Sequence, residues 1–312
     1  MKIDLIIPCY NEEEALPFLY PALAALAEKE KAHSMRFLFI DDGSRDNTLL
    51  ILKELALNDE RVQYYSFSRN FGKEAAMLCG MTMATADAVG ILDADMQHPP
   101  ALISEMITAL EEGYDVAAAK RSARQGQPGL YQWGARMFYR LSNCMSDVQL
   151  PQGAQDFRLM RKKVVDAIVA MPEYHRFSKG IFAWVGFKTK WIEHHDAERV
   201  AGTTKWNFFS SFHYAIEGIV SFSTKPLTAM VGLGAFISLI GFLYALFIVI
   251  EAVVKGVRTP GFPTLASLIL ILSGITILSV GLAGLYISKT YMEVKQRPHF
   301  IVSETNDERT LH

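Results

Sequence analysis

Ala88-Val89-Gly90-Ile91-Leu92-Asp93-Ala94-Asp95-Met96-Gln97-His98-Pro99-Pro100 is the stretch whose reading decides the fold. A short apolar run closed by turn formers predicts a buried strand, and the Pro-Pro pair predicts the start of a helix. In open α/β sheets ligands bind beyond the carboxyl ends of the strands, and two carboxylates close this one. An Asp-x-Asp pair alone is weak evidence, since chance supplies about one in a chain of this size. Its place at a strand end gives it weight, because acids so placed form half of a site for a hard divalent cation holding a diphosphate.

On either side, β-rich runs alternate with helical patterns from residue 1 to about 119. Strands are expected at 3–8, 36–41, 62–66, 88–93 and 116–119, and helices at 13–29, 48–57, 72–83 and 100–112, which predicts a parallel sheet with helices on its faces. The unusual residues gather at the expected strand ends: Pro8-Cys9-Tyr10-Asn11-Glu12, Asp41-Asp42-Gly43-Ser44, Arg69-Asn70 and Asp93-Ala94-Asp95. A dinucleotide-binding reading fails, because Cys9-Tyr10-Asn11-Glu12 stands where G-x-G-x-x-G is required. Phe71-Gly72-Lys73-Glu74 likewise lacks the upstream glycine and the Ser/Thr of a P-loop.

Half of the 312 residues are apolar, and the excess lies in the last third. Residues 226–254 carry no charge before Glu251, and 264–288 carry none. Each exceeds the roughly 20 residues needed to cross a hydrocarbon core, so two transmembrane helices are expected, with buried core helices as the alternative. The breaker-rich linker 255–263 makes them an antiparallel hairpin with both chain ends on one side. Lys289, Lys295 and Arg297 against Lys255 and Arg258 favour cytoplasmic termini by a narrow margin. The polar opening Met1-Lys2-Ile3-Asp4 does not resemble a secretory signal, so the first 225 residues are expected to stay cytoplasmic. Cys9, Cys79 and Cys144 show no metal or redox spacing, and a net charge of −2 gives no sign of nucleic-acid binding. Residues 303–312 read as a disordered tail. Helical spacing of Trp133, Met137, Leu141 and Met145, and of Trp206, Phe209, Phe212, Ile216 and Ile219, predicts two helices lying on the membrane, with core packing as the alternative.

Three motifs, Ile6-Ile7-Pro8-Cys9-Tyr10-Asn11-Glu12, Ile40-Asp41-Asp42-Gly43-Ser44-Arg45-Asp46-Asn47-Thr48 and Leu92 through Pro100, together resemble family 2 of the glycosyltransferases. With Gln155-Asp156-Phe157-Arg158-Leu159 and the C-terminal spans, the chain resembles polyisoprenyl-phosphate glycosyltransferases of the dolichyl-phosphate mannose synthase-like group, and bacterial undecaprenyl-phosphate glucosyltransferases above all. The resemblance covers nearly the whole chain. It implies a GT-A (Rossmann-like) catalytic domain at 1–205, with an interfacial helix at 131–145, and a juxtamembrane helix at 206–225. Spans at 226–254 and 264–288, an extracytoplasmic loop at 255–263 and a cytoplasmic tail at 289–312 complete it. The implied reaction is inverting transfer of a hexose, glucose from UDP-glucose, to undecaprenyl phosphate at the cytoplasmic face of a bacterial inner membrane, for modification of a cell-envelope glycan. N-acetylglucosamine or mannose as the sugar, or a non-catalytic nucleotide-sugar-binding subunit, are the alternatives. A processive polysaccharide synthase would need a Q-x-x-R-W segment and further spans, which this sequence lacks.

By the same resemblance Pro8, Tyr10, Glu12, Asp41, Asp42, Lys73 and Asp93 bind the nucleotide sugar, with Asp42 accepting a hydrogen bond from the uracil ring. The alternative for Asp42-Gly43-Ser44 is a tight turn, and one of Asp46 or Asn47 reads as a helix cap. Asp93, Asp95 and Gln97 are the expected ligands of Mg²⁺ or Mn²⁺, although one of the two acids could instead bind the ribose. Asp156 and Asp95 are the expected catalytic acids. A phosphate acceptor is mostly dianionic at neutral pH, so Asp156 is expected to position more than deprotonate; the alternative is a capping or salt-bridged acid near Arg158 or Arg161. Arg121, Arg136, Arg199 and Lys205 are expected at the phosphates of donor or acceptor, or else as solvated charges. The resemblance also implies association of the hairpin anchors into a homo-oligomer, which the sequence leaves open.

Overall fold

The computed structural model describes residues 1–121, 153–171, 173–194, 225–255 and 261–307. The strands are β1 (Lys2–Cys9), β2 (Ser34–Asp41), β3 (Val62–Phe67), β4 (Ala88–Ile91), β5 (Val116–Arg121), β6 (Ala154–Arg161), β7 (Thr189–His194) and β8 (Val302–Thr305). The helices are α1 (Leu16–Lys29), α2 (Thr48–Asn58), α3 (Lys73–Met83), α4 (Leu102–Glu111), α5 (Lys162–Val169), α6 (Ser178–Trp184), α7 (Lys225–Lys255) and α8 (Phe262–Lys295). One sheet runs in the order β7-β5-β6-β4-β1-β2-β3-β8. Pairings β1/β2, β1/β4, β2/β3 and β5/β7 are parallel, whereas β6 and β8 run antiparallel to their neighbours.

Strands covered on both faces are apolar along most of their length, and β1 shows why its sequence does not alternate. Ile3, Leu5 and Ile7 share one core with Leu16, Leu19, Leu52 and Met106, while Ile6 shares the other with Leu38, Ile40, Met77 and Ile168. Helix α3 lies so close on β1 that a Cβ at Gly80 would stand 2.3 Å from Ile6 Cγ2. At the opposite end of the strands from the site, buried Asp4 receives Arg36 Nε and Nη2 at 2.8 and 2.7 Å, which offsets the desolvation of both charges.

Several boundaries differ from expectation. The strand expected at 88–93 ends at Ile91, so Asp93 and Asp95 stand on the loop beyond it. Helix α1 begins at Leu16, after a turn in which Ala15 and Leu16 donate to Glu12 O, and α4 begins at Leu102 rather than at the prolines. Residues 303–307 of the tail expected to be disordered are ordered. Its strand β8 pairs with β3, Tyr65 Oη donates to Asp307 at 2.5 Å, Thr305 Oγ1 donates to Tyr64 O at 2.7 Å, and Asn306 Oδ1 receives Tyr64 N–H at 2.8 Å. The helices expected at 131–145 and 206–225 and most of the linker 255–263 lie outside the described residues.

Helices α7 and α8 contain windows, Lys225–Tyr244 and Ile271–Lys295, with mean hydropathy 2.0 and 1.9 and no share of either buried. Val231, Phe236, Phe242, Val253, Ile277 and Val280 are exposed apolar side chains on these helices. Neither window is packed into the core of the chain, unlike the alternative of core helices, and both helices are long and apolar enough to cross a membrane.

Removing the buried partner of a tyrosine hydroxyl costs about 1–3 kcal/mol. Asp307→Ala should therefore lower the thermal midpoint of the full chain in detergent by several degrees, and hydrogen exchange should rise along β3 and β8. Unchanged protection of both strands would refute the role assigned to this tail.

Candidate active site

Two loops form the first wall of the site. After β1, Asn11 takes a left-handed φ of 56°, and its N–H donates to Ser44 Oγ at 3.0 Å while its Oδ1 receives Arg45 N–H at 2.8 Å. Glu12 N–H donates to Thr48 Oγ1 at 2.8 Å, so the loops after β1 and β2 are laced together. Tyr10 is left exposed at the rim, with Pro8 and Glu12 half-buried below it. Of the two helix-cap candidates, Asn47 occupies the N-cap position of α2 without a side-chain cap bond, and Asp46 before it supplies the carboxylate, its Oδ1 receiving Thr48 N–H at 3.0 Å.

Asp41 and Asp42 are both buried. Asp41 accepts Ser66 Oγ–H at 2.7 Å and Ser44 N–H at 3.1 Å. Asp42 accepts the N–H groups of Phe71 at 2.6 Å and Gly72 at 2.9 Å, and burial, partly offset by these bonds, raises its pKa. In this geometry both Asp42 oxygens hold the loop that starts α3. Gly43, at φ 66°, permits that approach, since a Cβ there would stand 2.6 Å from the Arg69 carbonyl carbon.

Helix α3 therefore opens with Lys73 aimed at the strand ends. Its Nζ lies 2.6 Å from Asp93 Oδ1 and 2.9 Å from Asp156 Oδ2. The two acids meet because β6 is antiparallel to β4: Ile91 pairs with Arg158, and two residues further in each direction stand Asp93 and Asp156. Burial disfavours a charged Lys73, but the carboxylates of Asp93 and Asp156 outweigh it and raise the lysine pKa. Burial likewise opposes ionisation of Asp156; Lys73, Lys179 and Arg158 overcome it and hold the carboxyl at about 2. The alternative of a salt-bridged acid thus holds with a different partner from those expected. Arg158 turns to the carbonyls of Asp156 and Gln155 and lies 3.5 Å over the Phe182 ring.

Beyond Asp93, Asp95 Oδ1 accepts Gln97 N–H at 3.1 Å across a turn in which Met96 takes φ 58°. His98, inside the Leu92–Pro100 motif, is buried, stacked on Phe157 at 5.3 Å, bonded to His194 through Nδ1···Nε2 at 3.1 Å, and 4.0 Å from Asp93 Oδ2. It is a positioning residue that ties the Asp93 loop to the end of β7. Its place in Gln97-His98-Pro99-Pro100, directly after the acid pair, is the sequence signal that points to it.

The expected divalent cation fits this donor set. The Lys73 ammonium already lies on Asp93 Oδ1, which shows a position that favours positive charge. Among the described residues no group of three or more His, Cys, Asp or Glu could form a protein cage. Two carboxylates, completed by phosphate oxygens and water, suit Mg²⁺ or Mn²⁺. Arg121 ends β5 opposite His194, while Arg136, Arg199 and Lys205 lie outside the described residues.

Residues 4–169 match the family model described as glycosyl transferase family 2. The chain is 41% identical over 302 residues to the bactoprenol glucosyl transferase of Shigella phage SfV, covering 97% of this chain and 98% of that one. It is 40% identical over 302 residues to the prophage bactoprenol glucosyl transferase homolog of Escherichia coli, again covering 97% and 98%. Among solved structures, mannosyl-3-phosphoglycerate synthase from Rubrobacter xylanophilus aligns over 84% of this chain and 79% of its own, with a TM-score of 0.48 and 14% identity.

A carboxyl whose pKa is depressed on folding contributes stability above its unfolded value and loses it as pH falls toward the folded value. For Asp156 that window runs from 3.8 down to about 2. Asp156→Asn should accordingly show a smaller fall in thermal midpoint between pH 6 and pH 3 than the unsubstituted protein; equal falls would remove Asp156 from the ion-pair network.

Proposed function

The chain belongs to glycosyl transferase family 2 and is a glycosyltransferase, and from that premise we propose that it transfers glucose from UDP-glucose to undecaprenyl phosphate at the cytoplasmic face of a bacterial inner membrane. The product is a lipid-linked sugar for modification of a cell-envelope glycan. The observation that carries this reading is the Lys73 ammonium shared by Asp93 and Asp156 at the strand ends. It supplies charge for a leaving diphosphate on one side and a fixed carboxylate beside the acceptor on the other.

Pro8, Tyr10 and Glu12 receive the nucleoside between the laced loops, and Asp42 acts mainly through the loop that aims Lys73. Asp93 and Asp95, with Gln97, would hold Mg²⁺ or Mn²⁺, which supplies positive charge against the departing diphosphate. Lys73 offers its remaining N–H to the same phosphates. An oxygen of the acceptor phosphate forms the new bond to the sugar C1 as the bond from C1 to the diphosphate oxygen breaks, with inversion and release of UDP. Asp156, held at about 2, is a carboxylate at neutral pH and a poor proton acceptor. A phosphate monoester with second pKa about 6 needs no base, so Asp156 orients rather than deprotonates. Arg121, Arg136, Arg199 and Lys205 are proposed to gather the phosphates.

The sheet supports the membrane arrangement. Strands β1 to β7 precede the apolar helices and β8 follows them, yet all belong to one sheet. If both helices cross, the chain leaves that side and returns to it. The lysine and arginine balance around the helices favours the cytoplasmic side.

Purified full-length protein, labelled UDP- and GDP-sugars, undecaprenyl phosphate and Mg²⁺ or Mn²⁺ test the reaction. Glucose is expected in a chloroform-soluble, mild-acid-labile product, and no lipid-linked product from any donor would sink the proposal. Asp93→Ala should abolish transfer with the thermal midpoint retained, since removing one preorganised charge at a leaving group costs about 10²–10³-fold or more. Undiminished turnover by that variant would refute the role of Asp93.

A further inference from the structure

Just past the end of β3, a cleft of about 290 Å³ opens between the loop before α3, the segment before α6 and the chain just past α8. Arg69, Glu74, Tyr174, His175, Arg176 and His299 line it. Neither arginine is in a salt bridge among the described residues. The Arg69 guanidinium lies 4.5 Å over the Phe71 ring. Arg176 Nη1 and Nη2 donate to the carbonyls of Met171 at 2.7 Å and Ile168 at 3.2 Å, and burial lowers its pKa against the pull of Glu173 and Glu74. The cleft's carboxylate, Glu74, is turned to the N–H and hydroxyl of Ser178, and burial pushes it up. The lining therefore holds two guanidinium groups that no carboxylate bonds directly, with Glu173 and Glu74 acting on Arg176 only from a distance.

The cleft also has a fixed depth relative to α8. Tyr174 N–H donates to Glu293 Oε1 at 2.8 Å in the last turn of that helix, and the Tyr174 ring stacks on His299 at 5.6 Å. The apolar window ends at Lys295. A bilayer of about 40–45 Å with a 30 Å hydrocarbon core leaves a headgroup layer of roughly 5–8 Å on each side. With α8 crossing the membrane, residues bonded to its last turn stand at that layer. Guanidinium groups match phosphate oxygens in charge and geometry, and tyrosine is at home in the same layer.

We propose that this cleft is a phosphate-binding site distinct from the donor site, filled by the headgroup of an anionic phospholipid. It would tether the start of α3, where Glu74 follows Lys73, to the bilayer surface. The inference rests on the reading of α8 as a membrane span. A soluble phosphate would meet the same groups, so the test separates the two sources.

Full-length protein in detergent, titrated with phosphatidylglycerol, phosphatidylcholine or inorganic phosphate and observed by native mass spectrometry, provides it. One phosphatidylglycerol should be retained in preference to phosphatidylcholine. In the double variant Arg69→Gln, His299→Gln its affinity should fall about tenfold while UDP binding in the presence of Mn²⁺ stays unchanged. Retention of inorganic phosphate with the same loss in the variant would support the anion site with a soluble source. Equal retention of phosphatidylglycerol by both proteins, or no preference over phosphatidylcholine together with no phosphate binding, would overturn it. Glycosyl transfer assayed on the same unsubstituted sample separates the readings: its absence strikes the catalytic proposal and leaves the lipid result standing.

Discussion

A single ammonium between two carboxylates is the constraint on which the site depends. Asp93, on the loop beyond β4, and Asp156, on antiparallel β6, come together at the strand ends, where like charges repel, and Lys73 offsets that repulsion. Lys73 can do so only if α3 begins where it does. That start is set by Asp42, which accepts the Phe71 and Gly72 N–H groups, and by Gly43, whose missing Cβ lets the β2 and β3 loops touch. Asp42, expected from sequence as a ligand for the base, is in the fold also the support of the loop that aims Lys73.

The first half of the sheet was legible because each of its strands is an apolar run ended by turn residues. Strand β6 was not. Ala154–Arg161 carries Asp156, Arg158 and Arg161, and no periodicity tells the direction in which such a strand will pair. Direction is what matters here, since only the antiparallel insertion carries Asp156 to the edge occupied by Asp93. Strand β8 was hidden for a different reason. Val302–Thr305 is short and mostly polar, and its place depends on hydroxyls of Tyr64 and Tyr65 about 240 residues away. His98 stood in a quoted motif, but its burial comes from Phe157 and His194 on strands the pattern did not reveal.

The C-terminal strand also answers a mechanical need. An uncovered β3 would present an open edge, which invites association with other chains, and β8 closes it with residues that follow a long apolar helix. The same few residues, 296–301, therefore join α8 directly to the catalytic sheet. A glycosyltransferase acting on a lipid needs its strand ends held at a fixed height over the bilayer, and a strap of this length leaves little slack.

The charge around Asp156 bears on the kind of nucleophile the site can use. Burial alone would raise that carboxyl toward the range of a useful base, yet Lys73, Lys179 and Arg158 drive it the other way. A hydroxyl acceptor would be poorly served, because general-base catalysis works best with a pKa near the operating pH. An acceptor that arrives ionised has the opposite requirement: it must not be repelled. Lys73, Lys179 and Arg158 set positive charge beside the carboxylates of Asp93 and Asp156, so an approaching phosphate dianion meets cations there and not acids alone. The site gives up basicity at Asp156 and gains a place where one anion can stand beside another.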